Sequence, residues 1–265
     1  MKVQTGLIEV DDLIKLVNLT VLTGRVRDGK RISMLLVGDT ETGKTQILEV
    51  FMNLKPVIWA NDLSAKIIVM DVAPQVEKGK THILIPDFLK ILSHQKVVAR
   101  NTITMLNAIT EEGLKNVMFY GSQKEFKQPV KCGVIAAITK SGYKAREQYW
   151  KNIGFVGRCI PVSFSYSDET KMKIHEHIRT GFPSRVIDVL TGKLAHVEIP
   201  QDISERVQGM VLDRAPCSTG FRLHKQLRAL VQAHALCRGR SVVTEEDFEE
   251  IRRLSKFMNL DFNTI

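Results

Sequence analysis

Gly38-Asp39-Thr40-Glu41-Thr42-Gly43-Lys44-Thr45 follows the apolar run Ile32-Ser33-Met34-Leu35-Leu36-Val37. The run has the length and composition of a buried strand, and Ile47, Val50, Phe51 and Leu54 beyond the loop fall on one face of a helix. A strand, a Gly-x4-Gly-Lys-Thr loop and a helix in that order form a phosphate cradle. Gly38 and Gly43 let the backbone curl so that amide N–H groups point at phosphate oxygens. Lys44 brings its ammonium to the β and γ phosphates, Thr45 offers a hydroxyl to Mg2+, and the helix N-terminus adds its dipole. At average glycine and lysine usage the pattern arises by chance in roughly one chain per hundred of this length. The strand before it and the helix after it make chance a poorer account, so the chain reads as a nucleotide-binding protein.

A chain of 265 residues, 44% hydrophobic, can hold one large domain or an αβ core with a smaller satellite, and needs no disulfide staples. It has no apolar run of 18 residues, and its first residues lack the layout of a secretory signal. It therefore reads as intracellular, cytoplasmic or nucleoid-associated, with no membrane partner. Cys132, Cys159, Cys217 and Cys237 lie far apart, without a C-x-x-C pair, and read as buried structural thiols. His175 and His177 fall on different helix faces, so no metal motif is expected. The net charge of +9 suits nucleic acid or an anionic surface. Because acids are interspersed and no block of six like charges occurs, a solvated basic surface accounts for it equally well.

Periodicity predicts a helix over 8–22 stopped by Gly24, a basic loop from Arg25 to Arg31, and strands at 32–37, 56–60, 81–85, 133–138 and 160–164. Helices are expected at 101–112, 169–178, 203–212, 222–237 and 245–258. The last opens on Thr244-Glu245-Glu246-Asp247, a capping-box pattern, with a stripe of Phe248, Ile251, Leu254 and Phe257. Strands alternating with helices, then helices alone, imply an α/β fold: a three-layer αβα core with a parallel sheet, followed by an all-helical lid. The boundary is placed near Ser167, giving a nucleotide-binding core at 1–167 and a lid at 168–265.

Four pieces together resemble the AAA+ ATPases: the loop, the strand ending at Asp87, the segment Gly154 to Val162 (G-F-V-G-R-C-I-P-V), and the helix beginning F-R-L-H-K-Q-L-R-A-L at Phe221. The stretch Arg222 to Phe248, with A-H-A before V-V-T-E-E-D, is most similar to the minichromosome maintenance helicases and their MoxR relatives. The resemblance spans residues 10 to 258 and implies a ring-forming ATP hydrolase that uses ATP and Mg2+, with nucleotide at subunit boundaries. It places Arg222 in the second-sensor position, on the γ phosphate of its own subunit's nucleotide. Arg158 takes the place of the arginine finger, reaching the neighbouring subunit's site. Thr139 ends the fourth strand, where the family has a polar first sensor.

Two departures from the family pattern point to low turnover. The family's metal-proximal strand ends in adjacent Asp-Glu; here it reads Ile83-Leu84-Ile85-Pro86-Asp87-Phe88. Either Asp87 is the aspartate and Phe88 replaces the water-polarising glutamate, or Pro86 replaces the aspartate and Asp87 stands for the glutamate. One carboxylate is missing in both registers. Thr139 in place of the usual asparagine holds a water through a shorter reach. For a substrate, residues 116–131 read as a basic hairpin around Gly121-Ser122, with Lys124, Lys127 and Lys131 placed to grip nucleic-acid phosphates or to face solvent. No aromatic residue lies between Asn61 and Lys80, which disfavours a polypeptide-threading motor. The leading reading is an oligomeric AAA+ ATPase acting on nucleic acid, helicase-like, in replication or mobile-element maintenance. The alternative is a nucleotide-gated, MoxR-like remodelling or adaptor ATPase that holds a protein partner and hydrolyses little.

Overall fold

A computed structural model describes residues 1–119, 122–146, 149, 152–182, 185–214 and 220–259. Strands β2 (Ser33–Gly38), β3 (Val57–Trp59), β4 (His82–Ile85), β7 (Gly133–Thr139) and β8 (Cys159–Ser163) form a parallel sheet in the order β3-β4-β7-β2-β8. All five expected strands are present within a residue or two of their expected bounds. The loop strand β2 lies between β7 and β8, so the loop opens at the carboxyl ends of three adjacent strands.

Side chains along β2 alternate between two apolar layers. Met34 and Leu36 pack with helix α1 (Asp11–Leu22), with α2 (Lys44–Glu49) and with the C-terminal helices. Leu35 and Val37 enter a second cluster with Ile68, Val69 and Val72, which follow α3 (Ala65–Ile67), and with α4 (Ala73–Glu77), α5 (Phe88–Leu92) and α6 (Lys96–Thr110). Both faces of the sheet are thus covered, which explains why its strands read as continuous apolar runs. Ile47, Val50, Phe51 and Leu54 are all buried, as their spacing predicts.

Helix α1 begins at Asp11 rather than residue 8, because Glu9 holds φ at 54° and cannot continue a helical turn. Helix α6 begins five residues before the expected start. Val97 and Val98 face outward, 68% and 38% exposed, and so carried no inward stripe. Between α6 and β7, strands β5 (Leu114–Phe119) and β6 (Ser122–Val130) form the expected antiparallel hairpin. Gly121 lies outside the described residues. A short helix, α7 (Lys140–Lys144), follows β7.

The C-terminal helices are α8 (Asp168–Thr180), α9 (Gln201–Arg214), α10 (Phe221–Cys237) and α11 (Glu245–Leu254). Ser167 caps α8, its hydroxyl accepting from the Thr170 N–H. Leu223, Leu227 and Leu230 of α10 share one apolar cluster with Leu13, Leu16 and Val17 of α1. Strand β1 (Lys2–Thr5) pairs antiparallel with β9 (Arg185–Asp188), a pairing that local periodicity did not predict. Cys132 and Cys159 are buried, and burial pushes their thiols up to about 12; Cys237 is only partly buried, and Cys217 lies outside the described residues.

A buried polar knot joins α10 to α11. His234 Nδ1 lies 2.6 Å from Asp247 Oδ1, Asp247 Oδ2 accepts from the Thr244 N–H at 2.8 Å, and Arg240 pairs with the same carboxylate. Burial alone would raise the Asp247 carboxyl, but His234, Thr244 and Arg240 outweigh it and hold it at about 2. A carboxyl depressed on folding stabilises above its unfolded value near 3.8, and that contribution fades as pH falls toward 2. Asp247→Asn should therefore cost about 2 kcal/mol at pH 6, with a smaller deficit at pH 3, as read by urea unfolding at the two pH values.

Candidate functional site

The loop between β2 and α2 has the curl expected of a phosphate cradle. Gly43 adopts φ 74° and Glu41 φ 62°, both left-handed, so the chain turns back on itself immediately before Lys44. A Cβ at Gly43 would bring strain at that φ, which is why glycine stands there. Lys44 is buried, and its ammonium donates to Gly38 O at 3.1 Å, to Asp39 O, and to Thr42 Oγ1 at 3.2 Å. Burial lowers its pKa and Asp39 partly restores it. Asp39, Thr40 and Glu41 form the exposed rim, with Thr42 half-buried beneath them.

Three further elements bring side chains to this loop. Thr45 Oγ1 lies 3.4 Å from Pro86 O, so the hydroxyl at the start of α2 reaches the carboxyl end of β4. Asp87 is exposed there and caps α5, accepting from the Leu89 N–H at 3.1 Å. Thr139, the register partner of Gly38, ends β7; its hydroxyl accepts from the Gly142 N–H and meets Ser141 Oγ at 3.3 Å. Sequence reasoning overlooked two neighbours. Lys140 Nζ pairs with Asp39 at 3.3 Å, tying the rim to the end of β7, and Tyr166 donates to Thr42 O at 3.0 Å from the chain beyond β8. Neither belongs to a recognisable motif; only the parallel register brings them here.

Phe88 is fully buried, and its ring stacks on Phe155 with centroids 5.3 Å apart. A carboxylate at that position would have to lie in the apolar cluster, so the position after Asp87 has no part in the site.

The two arginines lie elsewhere. Arg158 immediately precedes β8, whose first residue pairs with Ser33, whereas Gly38 ends β2 five residues further on. At the rise of a strand this sets Arg158 roughly 17 Å from its own loop, at the opposite edge of the sheet. Arg222 joins it, donating to Gly157 O at 3.2 Å, while Arg158 donates to Gly154 O at 2.6 Å. Both guanidiniums also flank Glu111, at 3.5 and 3.6 Å. Within this chain the geometry sets Arg222 beside Arg158 and away from its own phosphate loop.

Among the hairpin lysines, Lys124 is half-buried 6.0 Å from the ring of the buried Phe126, whereas Lys127, where the β5–β6 register shifts, is exposed. Lys127 and Lys131 line a cleft of about 310 Å³ with Arg31, whose guanidinium donates to Lys131 O.

Among the described residues no helix is long and apolar enough to cross a membrane. No curated protein matches the chain. The model of the family described as TniB, Bacterial TniB protein, matches residues 10–118, a span that contains the phosphate loop, the end of β4 and Glu111 but neither Thr139, Arg158 nor Arg222. In that span the chain is similar to a P-loop ATPase-like family.

Proposed function

We propose that this chain is an ATP-binding ATPase of mobile-element transposition that assembles through its nucleotide sites and acts on nucleic acid. The observation that carries the proposal is the convergence on one curled loop of the Lys44 ammonium, the Thr45 hydroxyl, Thr139 and Asp87 from the ends of adjacent strands. The family match over residues 10–118 supports a mobile-element role over a helicase.

The loop amides and Lys44 bind the β and γ phosphates, and the rim pair Asp39–Lys140 keeps the loop against β7. The donor set fits Mg2+, which would be held by the Thr45 hydroxyl with Asp87 nearby; when bound it supplies charge neutralisation at the phosphates. The contact of Thr45 with Pro86 supports the register in which Pro86 takes the metal-side position and Asp87 polarises the attacking water. In that register a proline stands where the metal-side aspartate would be, one carboxylate is missing, and turnover is slow. The groove of about 410 Å³ between residues 3–7 and the outer face of α2, lined by Gln46, Val50 and Phe182, adjoins Gly43 through Leu7 and suits a nucleobase.

Arg158 and Arg222, beyond reach of their own loop, serve a neighbouring copy. A ring of copies brings this basic edge to the phosphate-loop edge of the next, where Asp39, Glu41 and Asp87 are exposed. Residues 1–167 form the nucleotide-binding core and 168–265 the helical lid of this assembly. Nucleic acid runs along the cleft of Lys127, Lys131 and Arg31, through phosphate contacts.

Lys44→Ala should abolish binding of a fluorescent ATP analogue, and Asp87→Asn should remove Mg2+-dependent hydrolysis; retention of both activities overturns the site. Arg158→Ala and Arg222→Ala should each remove the rise in turnover per chain with protein concentration, measured by phosphate release. Equal turnover in wild type and Arg158→Ala at high protein concentration overturns the trans arrangement. Lys127→Ala with Lys131→Ala should weaken DNA binding and reduce the salt slope by about 2, measured by fluorescence anisotropy from 50 to 200 mM salt. An unchanged slope assigns the hairpin to solvent, and a protein-remodelling ATPase becomes the better reading.

A further inference from the structure

Three cations from three separate parts of the chain meet on one carboxylate at the edge of the sheet opposite the phosphate loop. Lys30 Nζ lies 3.5 Å from Glu111 Oε1, while Arg222 Nε and Arg158 Nε lie 3.5 and 3.6 Å from Oε2. Lys30 comes from the loop before β2, Arg158 from the turn before β8 and Arg222 from the first turn of α10. The orientation of the guanidiniums does not come from Glu111, because each is tethered separately to the carbonyl of Gly154 or Gly157. All three ion pairs are long, and among the described residues neither Glu111 Oε2 nor Arg158 Nε makes a hydrogen bond.

Local structure gives no reason for an acid at position 111. Glu111 is the C-cap of α6, where the helix dipole is negative and an anion is unfavourable. What keeps the carboxylate there is the surrounding positive charge: Lys30, Arg158 and Arg222, with Lys225 close enough to depress Lys30. Burial is the main cause of that depression; Glu111 opposes it, and Arg222 and Lys225 add to it. One acid against three cations leaves a net positive cluster that accepts a polyanion. When phosphates arrive, the same acid becomes a like charge in contact with them.

We propose that Lys30 is a third cation offered to the neighbouring copy's triphosphate and that Glu111 is its internal competitor, a counter-ion that phosphate must displace before two copies lock together. This rests on the trans reading of Arg158 and Arg222. In the separate chain Glu111 neutralises part of the cluster and holds the three cations within one carboxylate's reach. In the assembly the phosphates replace it, so Glu111 weakens nucleotide-dependent assembly while Lys30 strengthens it. Assembly thereby depends on a bound triphosphate, because without one the cluster already has its own anion.

Sedimentation velocity of the full chain across a protein dilution series, with Mg2+ and a non-hydrolysable ATP analogue, tests this. Glu111→Gln keeps the shape and removes the charge, and should bring half-assembly to a protein concentration roughly threefold to tenfold lower. Glu111→Asp, which draws the carboxylate back while keeping its charge, should shift in the same direction by less. Lys30→Met, which retains the apolar stem, should require more protein. Wild-type-like melting temperatures establish folding in each variant. A Glu111→Gln variant that folds and assembles at the wild-type concentration, or only at a higher one, overturns the competitor role even where Arg158→Ala abolishes turnover. Should Arg158→Ala instead leave turnover unchanged, the trans reading fails and this proposal with it.

Discussion

β2 is hydrogen-bonded on both sides, to β7 and to β8, and its side chains enter apolar layers on both faces of the sheet. A strand held on four sides has a fixed register and a fixed end. The phosphate loop begins where that end is, at Gly38, and inherits its rigidity. Because the neighbouring strands run parallel, their carboxyl ends arrive at the same level, bringing Thr139 beside Gly38 and the Pro86 carbonyl to Thr45. The amino ends of the same strands gather at the other edge, which is why Arg158 and the loop carrying Lys30 meet there. One sheet therefore has two chemically opposite edges, an anion-binding loop with an acidic rim and a cluster of cations.

That polarity gives the molecule a direction. The backbone at Arg158 lies roughly 17 Å from the chain's own loop, and Arg222 joins it there, so both arginines belong to the edge away from that loop. The helices after Ser167 contribute to this without forming a separate apolar core, since α10 packs on α1 and delivers Arg222 to the turn before β8. Arg222 is set by its bond to the Gly157 carbonyl and by packing along α10, and both lead it to Arg158.

The end of β4 shows how packing and chemistry exclude one another. Phe88 directly follows the exposed Asp87, and its ring is stacked on Phe155, three residues before Arg158. Burying a carboxylate there without a partner would cost several kcal/mol. The same residue therefore excludes a carboxylate beside Asp87 and packs against the turn that carries Arg158 at the far edge.

The order of strands and helices was legible in the sequence, because apolar runs of four to seven residues and stripes at 3.6 spacing report burial directly. The phosphate loop was legible too, since glycine, lysine and threonine at fixed spacing carry their own backbone geometry. The β1–β9 pairing was not, because it joins residues 180 to 186 positions apart through a half-buried ribbon without a strong apolar signal. Nor were Lys140, Tyr166, Lys30 and Glu111, each an ordinary polar residue until the parallel register sets it beside a partner. A count of lysines likewise could not separate Lys124, set beside Phe126, from Lys127, which lines a cleft with Arg31. The sequence by itself determined what the loop can hold, because that chemistry is local. Tertiary structure decided which edge each arginine faces, because charge acts through distance and only the folded sheet sets the distances.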